Sequence, residues 1–344
     1  MRIKQSVLVF VLLTALILPG LSMADGLGAC MTEQMLKASD STTMGELRVL
    51  CANQTGDETA IVRAETEQAN PVQDGQDTAI DIRLKADKRN VLQPFTLMSH
   101  KPNYLLAGAY NKNGYSAQHF QEQYDDPSIE MDDTEVQFQL SIKAPLAVDI
   151  FDTFDVYAAY TNRSFWQLYN SDISAPFRET NHEPEAWVQF SPGWEIFGFR
   201  NSATSFGFVH QSNGRGSVLS RSWNRVYASF VFQRGNFAIG FKPWTRISED
   251  IEEDDNPDIT DYLGHYELRA GYKWNKHVFS VMSRNNLESG FERGAVELGW
   301  SFPLWNYPYL NGYLQYFGGY GESLIDYNQR VNRIGIGISL TDWL

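Results

Sequence analysis

A histidine and a serine, two positions apart near the middle of the chain, are the residues best placed to do chemistry. If the segment that ends at Ser212 is a β-strand, alternate side chains share a face, so Phe206, Phe208, His210 and Ser212 point the same way. Asn224 falls on the apolar face of the segment that follows. A nucleophile, a base and an orienting amide would then share one hydrophobic surface. That arrangement is expected of an enzyme whose substrate is lipid.

The chemistry of these three residue types limits what they can do. Serine is a weak nucleophile until a base takes its proton, so His210 and Ser212 must come within hydrogen-bonding reach. An Asn224 carbonyl oxygen on the adjacent strand, roughly 4.8 Å away, would hold the far ring nitrogen. A neutral amide stabilises imidazolium less than a carboxylate does, so we expect a cation to carry part of the transition-state charge. A histidine and a serine on a strand are weak evidence alone, but polar groups facing lipid are costly without a function.

The N-terminus predicts export from the cytoplasm. Residues 1–24 combine Arg2 and Lys4, an apolar stretch from Val7 to Leu18, and small residues before position 25, which is the pattern of a cleaved signal peptide. No later stretch approaches the roughly 18 apolar residues of a spanning helix. Cys30 and Cys51 fit one disulfide in an oxidising compartment.

Composition excludes one class of partner. The net charge is −14, which argues against nucleic acid as a partner. The mean hydropathy of −0.36 would indicate a soluble protein. The alternating strands of a membrane barrel are nevertheless invisible to such an average, because apolar and polar side chains cancel along each strand.

The composition and residue pattern of the chain change near Pro94. Residues 25–92 are rich in charged residues, Thr, Ala and Gln, and we expect a periplasmic extension, disordered in part, with a short helix around Thr32–Ser39. Beyond it, about twelve segments alternate apolar and polar residues at the length of a tilted membrane strand. Clear examples are Glu135–Ala144, Tyr262–Lys273, Arg293–Phe302 and Arg330–Leu340.

This alternation predicts an all-β fold. We expect residues 93–344 to form a twelve-stranded antiparallel transmembrane β-barrel that is apolar outside and polar inside, preceded by the N-terminal extension. A soluble β-sandwich or a ligand-binding barrel also alternates. It would bury its apolar face in a core, whereas twelve long strands with polar residues opposite fit the membrane barrel better.

Several long motifs resemble the outer-membrane phospholipase A family. The resemblance runs from about Phe95 to Leu344, and residues 25–92 lie outside it. It is carried by His210-Gln211-Ser212-Asn213-Gly214-Arg215, Ser220-Arg221-Ser222-Trp223-Asn224-Arg225, Trp166-Gln167-Leu168, Pro176-Phe177-Arg178-Glu179-Thr180-Asn181, Lys242-Pro243-Trp244, Asp255-Asn256-Pro257-Asp258-Ile259-Thr260 and Gly319-Tyr320-Gly321-Glu322-Ser323-Leu324-Ile325-Asp326-Tyr327-Asn328.

The resemblance implies a calcium-dependent serine hydrolase of the Gram-negative outer membrane that cleaves phospholipids and lysophospholipids as a homodimer. It makes Ser212 the nucleophile, His210 the general base and Asn224 the orienting residue. The Gly214 N–H, with water on the calcium, would form the oxyanion hole.

The resemblance also implies the calcium ligands. These are the Arg215 carbonyl and the Ser220 hydroxyl, together with the Ser174 carbonyl of the other subunit. Oxygen ligands and water are what calcium prefers. Family members can carry glutamine at the interface where this chain has Asn162. A second calcium site uses two aspartates; Asp255 matches one, but Ser217 stands at the other, so we do not expect that site.

Two other functions compete with this one. The first is a non-enzymatic outer-membrane barrel, either a small porin or a structural protein, which single-channel conductance would reveal. The second is another lipid-modifying barrel, such as a lipid A deacylase. The Asn224 spacing and the loop after Ser212 favour the phospholipase.

Overall fold

The computed structural model describes residues 78–91, 97–250, 252, 254–305 and 307–344, together with Cys30, Glu33, Gln34, Leu47, Leu50, Cys51 and Gln54. The chain divides into two units, residues 1–76 and 77–344. In the first unit the described residues are helical, and Cys30 and Cys51 form a disulfide with Cα atoms 5.6 Å apart. The expected signal peptide lies outside the described residues.

In the second unit, the described residues form twelve long strands and a few short elements. The helices are α1 (Ala79–Val91), α2 (Gln118–Tyr124) and α3 (Ile259–Leu263), with a 3₁₀ turn at Ser217–Leu219. None of the helices in the described residues is long and apolar enough to span a membrane. The strands are β1 (Met98–Ser99), β2 (Asn103–Asn111), β3 (Thr134–Ile150), β4 (Phe154–Trp166), β5 (Phe177–Phe190), β6 (Glu195–Ile196), β7 (Phe199–Ser212), β8 (Ser222–Arg234), β9 (Phe237–Ile247), β10 (Tyr266–Trp274), β11 (His277–Asn285), β12 (Gly294–Leu304), β13 (Tyr307–Gly319) and β14 (Val331–Thr341).

The long strands close into a barrel. Each pairs antiparallel with the strand before and after it in sequence, β5 with β7 across the two-residue β6. β14 pairs with β2, and β2 and β4 both pair with β3, so the sheet has no free long edge. Closure lets the backbone N–H and C=O groups of the long strands bond within the sheet. This is required in a bilayer, because its core contains no water to bond them.

The strands expose mainly apolar residues on the outside and bury many polar residues inside. On β14, Ile334 and Ile336 are each 58% exposed, whereas Arg333 on the opposite face of the same strand is fully buried. On β7, Phe206 is 51% exposed and Ser205 is buried. A soluble sheet would bury these apolar residues, so the alternation favours the membrane barrel over the sandwich.

One predicted strand begins later than the sequence indicated. The segment Tyr262–Lys273 was expected to be strand throughout, but Tyr262 belongs to α3 and β10 starts at Tyr266. Gly264 ends the helix with a φ of +67°, which disfavours a residue with a side chain. The alternation from Tyr266 onward is as predicted.

Ionic and hydrogen-bonded side chains occupy the barrel interior. The Glu185 carboxylate accepts from His100 at 2.7 Å and from the Tyr227 hydroxyl at 2.9 Å, and it lies 3.4 Å from both Lys101 and Lys242. A cavity of about 380 Å³ remains beside this cluster. Pairing of this kind offsets the cost of removing each charge from water.

Helix α1 crosses one end of the barrel. Its Arg83 guanidinium donates to the carbonyls of Asp342 and Trp343 at 2.9 and 2.8 Å, and to those of Ser99 and His100 at 3.2 and 2.9 Å. Near the start of α1, Asp81 forms an ion pair with Arg200 on β7, on the opposite side of the barrel. The helix therefore belongs to the barrel unit, although it lies within residues 25–92, which were expected to form a separate extension.

Candidate active site

The ends of β7 and β8 bring the predicted triad together. His210 lies directly opposite Asn224 in the β7–β8 ladder, and Ser212 lies opposite Ser222. Both strands alternate as predicted, because Phe208 and Val226 are exposed on the side where His210, Ser212 and Asn224 lie. All three polar side chains are half-buried. They therefore sit on the outer wall of the barrel, away from the lumen.

His210 and Asn224 form a defined hydrogen bond. The His210 Nδ1 and Asn224 Oδ1 atoms are 2.9 Å apart, and Asn224 Nδ2 donates to Glu249 Oε1 at 2.9 Å. A carboxylate only accepts, so the Asn224 amide must turn its nitrogen to Glu249 and its oxygen to His210. His210 Nδ1 then carries the proton, which leaves Nε2 as the nitrogen that can act as a base.

Ser212 lies beside this pair but is not yet bonded to it. The hydrogen bonds among the described residues include none between His210 and Ser212. Positions i and i+2 on one strand face are close enough for side-chain rotation to join them. Such bonds are often long before substrate binds, so the geometry is compatible with a nucleophile and its base.

A second histidine flanks Ser212 from the other side. His182 on β5 is the register partner of Ser212. Its ring also lies next to Gly214, because a Cβ added to that glycine would be only 3.7 Å from the ring. His182 Nδ1 is 2.6 Å from the Tyr160 hydroxyl, and the two rings stack. Ser212 is therefore bordered by imidazoles on two sides.

The loop after Ser212 is organised by Asn213. This buried amide donates to the Leu219 carbonyl at 2.7 Å and accepts from the backbone N–H groups of Arg215 and Arg221 at 3.3 and 3.0 Å. The side chain thereby holds the two halves of the loop together. Gly214 has a φ of +63°, a conformation that favours glycine.

The expected calcium ligands lie in and near this loop. The Ser220 hydroxyl donates to Asp255, and the Arg215 guanidinium turns back to the carbonyls of Phe177 and Arg178 at 2.9 and 3.0 Å. The Arg215 carbonyl takes part in none of the hydrogen bonds found among the described residues. A carbonyl, a hydroxyl and a neighbouring carboxylate are oxygen donors of the kind that calcium takes.

Ser174 belongs to a different connection from the other two expected ligands. It is exposed in the β4–β5 connection with a φ of +63°, and no hydrogen bond within the described part of the chain joins it to Arg215 or Ser220. The described residues also contain no cluster of three or more His, Cys, Asp or Glu side chains that would hold a metal.

Asn162 also lies on the outer wall. It pairs across the ladder with Leu140 on one side and His182 on the other, and it accepts from the Ser164 hydroxyl at 3.0 Å. The amide is thus on the same lipid-facing surface as the triad, one strand beyond His182.

Sequence reasoning missed three residues at this site. Neither His182 nor Glu249 stood out in the sequence as part of the site. Asn213 entered only as part of a motif. Alternation along β5 was the available signal for His182, because Pro184 and Ala186 on the same face are exposed. Nothing local marks Glu249, because its contact depends on the β8–β9 register.

Comparisons with known proteins show which family the chain resembles. The family model "Phospholipase A1" matches residues 80–340, beginning at α1 and therefore before Phe95. Phospholipase A1 of Klebsiella pneumoniae and that of Escherichia coli K12 are each 40% identical over 261 residues, which cover 74% of this chain and 86% of each relative.

Solved structures give the same result. Outer membrane phospholipase A from Escherichia coli aligns with a TM-score of 0.67 and 37% identity, covering 73% of this chain and all of that one. A Salmonella typhi outer membrane phospholipase, described as a dimer with bound calcium, aligns with a TM-score of 0.67 and 38% identity over 74% of this chain and 96% of that one. The expected twelve-stranded barrel and outer-membrane location are confirmed. The chain belongs to the phospholipase A1 family.

Proposed function

We propose that this protein is a calcium-dependent serine hydrolase that releases acyl chains from phospholipids and lysophospholipids in the outer membrane. The observation that carries the proposal is the His210–Asn224 hydrogen bond beside Ser212 on the lipid-facing wall. The relatives' common name, phospholipase A1, supports the substrate class.

Ser212, His210 and Gly214 each have a defined part in the proposed reaction. His210 Nε2 takes the proton of Ser212 as Oγ attacks the ester carbonyl carbon, and the Gly214 N–H donates to the resulting oxyanion. His210 then gives the proton to the leaving alkoxide, which forms the acyl-serine. His210 next deprotonates a water molecule that attacks the acyl-serine, and it returns this proton to Ser212 Oγ as the acyl–oxygen bond breaks and the fatty acid leaves.

Calcium would be held by the Arg215 carbonyl and the Ser220 hydroxyl, with the Ser174 carbonyl of the partner subunit. When bound, it would supply positive charge near the oxyanion. The exposed position of Ser174, in a different connection from the other two ligands, is compatible with a site completed by a second copy. The calcium-bound dimer of the Salmonella typhi relative supports the same assembly.

The test is release of fatty acid from mixed phospholipid–detergent micelles by the refolded protein, with calcium and then with excess chelator. We expect release that requires calcium and disappears in Ser212→Ala and His210→Ala. Ser222→Ala is a matched control, because Ser222 is the register partner of Ser212 on the same face, and it should retain activity. Full activity in Ser212→Ala would refute the assignment.

The competing porin function is tested on the same preparation. The lumen cluster around Glu185 and the crossing helix α1 disfavour an open channel. No fatty-acid release, under conditions in which crosslinking shows dimers, would favour a role in transport or architecture.

A further inference from the structure

The acidic segment that follows β9 reaches the triad. Ile247, the last residue of β9, is the register partner of Asn224, and Glu249 lies two positions further on. Its carboxylate is half-buried and accepts from Asn224 Nδ2 at 2.9 Å. The hydrogen bonds therefore run from Glu249 through Asn224 to His210, so Glu249 is a fourth residue in line with Ser212, His210 and Asn224.

The neighbouring acidic residues are engaged elsewhere or point away. Asp254 binds Arg246 at 2.6 Å, and Asp255 accepts from the Ser220 hydroxyl. Asp250 is exposed. In the described part of this segment, Glu249 is the carboxylate that contacts Asn224, so its position is specific and is not a general property of an acidic loop.

The contact with Glu249 determines which way round the Asn224 amide lies. Asp presents two oxygens, but an Asn amide can rotate and offer its nitrogen to the histidine instead. His210 Nδ1 would then have to accept, Nε2 would carry the proton, and the ring would be unable to take a proton from Ser212. Glu249 accepts only, so it favours the orientation with Oδ1 toward His210.

We propose that Glu249 is a positioning residue that fixes the Asn224 amide and, through it, the tautomer of His210. Its negative charge also lies one amide away from the imidazolium that forms during the reaction, which restores part of the stabilisation that an aspartate would give. The inference rests on the proposed function, because it assigns a role within the same triad.

The first test compares Glu249→Ala and Glu249→Gln in the fatty-acid release assay. Alanine removes the acceptor, so we expect kcat to fall about ten- to one-hundred-fold with KM nearly unchanged. Glutamine retains a carbonyl acceptor without the charge, so it should recover part of that loss. Asp250→Ala is the control in the same segment and should match the wild type.

The second test asks whether Glu249 acts through Asn224. In an Asn224→Ala background there is no amide to orient, so Glu249→Ala should cause no further loss of kcat. Losses that multiply, or a change in KM alone, would assign Glu249 to the loop structure and overturn the proposal. Equal losses in the Ala and Gln variants would overturn the orienting role.

The third test does not depend on activity. NMR of protein labelled with ¹⁵N-histidine, with the His210 signals assigned by their loss in His210→Ala, reports which ring nitrogen carries the proton. We expect the Nδ1–H form of the neutral ring in the wild type and a mixture in Glu249→Ala. An unchanged tautomer in Glu249→Ala would overturn the proposal even if the protein had no hydrolase activity.

The outcomes separate the two proposals. A wild-type protein that releases no more fatty acid than Ser212→Ala would refute the proposed function and leave the tautomer measurement to decide on Glu249. A wild-type protein that is active, with Ser212→Ala inactive and Glu249→Ala as active as the wild type, would refute the inference about Glu249 alone.

Discussion

Polar side chains on the outer wall lie in a short row. Asn162, His182, Ser212, His210 and Asn224 occupy the outward positions of β4, β5, β7 and β8, and each is half-buried by its neighbours. Because lipid offers no hydrogen bonds, such groups are stable there only when they bond to one another or to substrate. The row is therefore the part of the lipid-facing surface that can position an ester.

We expect His182→Ala to weaken substrate binding more than catalysis. The His182 ring borders Ser212 and Gly214 and would contact the substrate equally before and during the reaction, so its loss should raise KM while kcat changes little. Tyr160→Phe removes only the hydroxyl bonded to His182 and should have a smaller effect. Kinetics over a range of phospholipid mole fractions in mixed micelles would measure both. A loss confined to kcat in His182→Ala would contradict this role.

Asn224→Ala should lower kcat without abolishing the reaction. The variant keeps Ser212, His210 and the Gly214 N–H but loses the bond that orients the imidazole, so we expect a loss of about ten- to one-hundred-fold. Asn224→Asp combined with Glu249→Gln should keep more activity than Asn224→Ala, because the aspartate accepts from His210 Nδ1 and the glutamine removes the repulsion between two carboxylates. The measurement is kcat in the fatty-acid release assay. Equal activity of Asn224→Ala and the wild type would contradict an orienting role.

For single residues, the sequence predicted which side chains share one face of a strand. His210, Ser212 and Asn224 follow from alternation along two neighbouring strands, and the structure places them on one face. Alternation along β5 is enough to put His182 on the outer face, but it could not place His182 or Glu249 beside the triad. Their neighbours are set by the β5–β7 and β8–β9 registers, which depend on connections whose lengths do not fix the pairing.

Among the elements, helix α1 differs most from expectation. It lies in a segment whose composition indicated an extension outside the barrel, yet Arg83 ties it to the chain's C-terminal residues and to the residues next to β1. Lys143 on β3 and Asp87 add an ion pair at 2.6 Å. A helix that packs in a polar lumen has a composition similar to that of a disordered segment. The sequence alone could therefore not distinguish a helix inside the barrel from an extension outside it.

We expect Arg83→Ala to loosen α1 and raise ion conductance. The guanidinium is bonded to four carbonyls, and a cavity of about 380 Å³ lies behind the helix. Planar bilayer recordings should show few openings for the wild type and more frequent openings for the variant. Ile82→Ala, at an exposed position of the same helix, should behave as the wild type. Equal conductance of Arg83→Ala and the wild type would show that α1 does not seal the lumen.

Across the whole molecule, buried ion pairs join segments that are far apart in sequence. Arg178 on β5 donates twice to Glu135 on β3 at 2.9 Å and also binds Asp326 in the connection between β13 and β14. Alternation along the strands predicted the barrel and its polar interior. It could not predict which charges pair, because pairing across a lumen depends on the strand order and the tilt of the closed sheet.

Arg178→Met should destabilise the barrel strongly. The substitution leaves two buried carboxylates without their cation, which costs on the order of 3–5 kcal/mol. Arg293→Met is the matched control, because Arg293 forms an exposed pair with Asp261 at 3.4 Å and should matter by only about 0–1 kcal/mol. Guanidinium titrations of the refolded protein in detergent micelles would give both values. Similar midpoints for the two variants would contradict a structural role for the buried network.

The position of Ser212 on the outside of the barrel has a consequence for how the protein meets its substrate. There is no mouth to enter and no channel to traverse, so encounters occur by lateral diffusion within a leaflet. Turnover is then governed by the number of cleavable molecules per unit area of membrane and by their freedom to move sideways. The fluidity and packing of the surrounding lipid, rather than concentration in bulk water, set the supply.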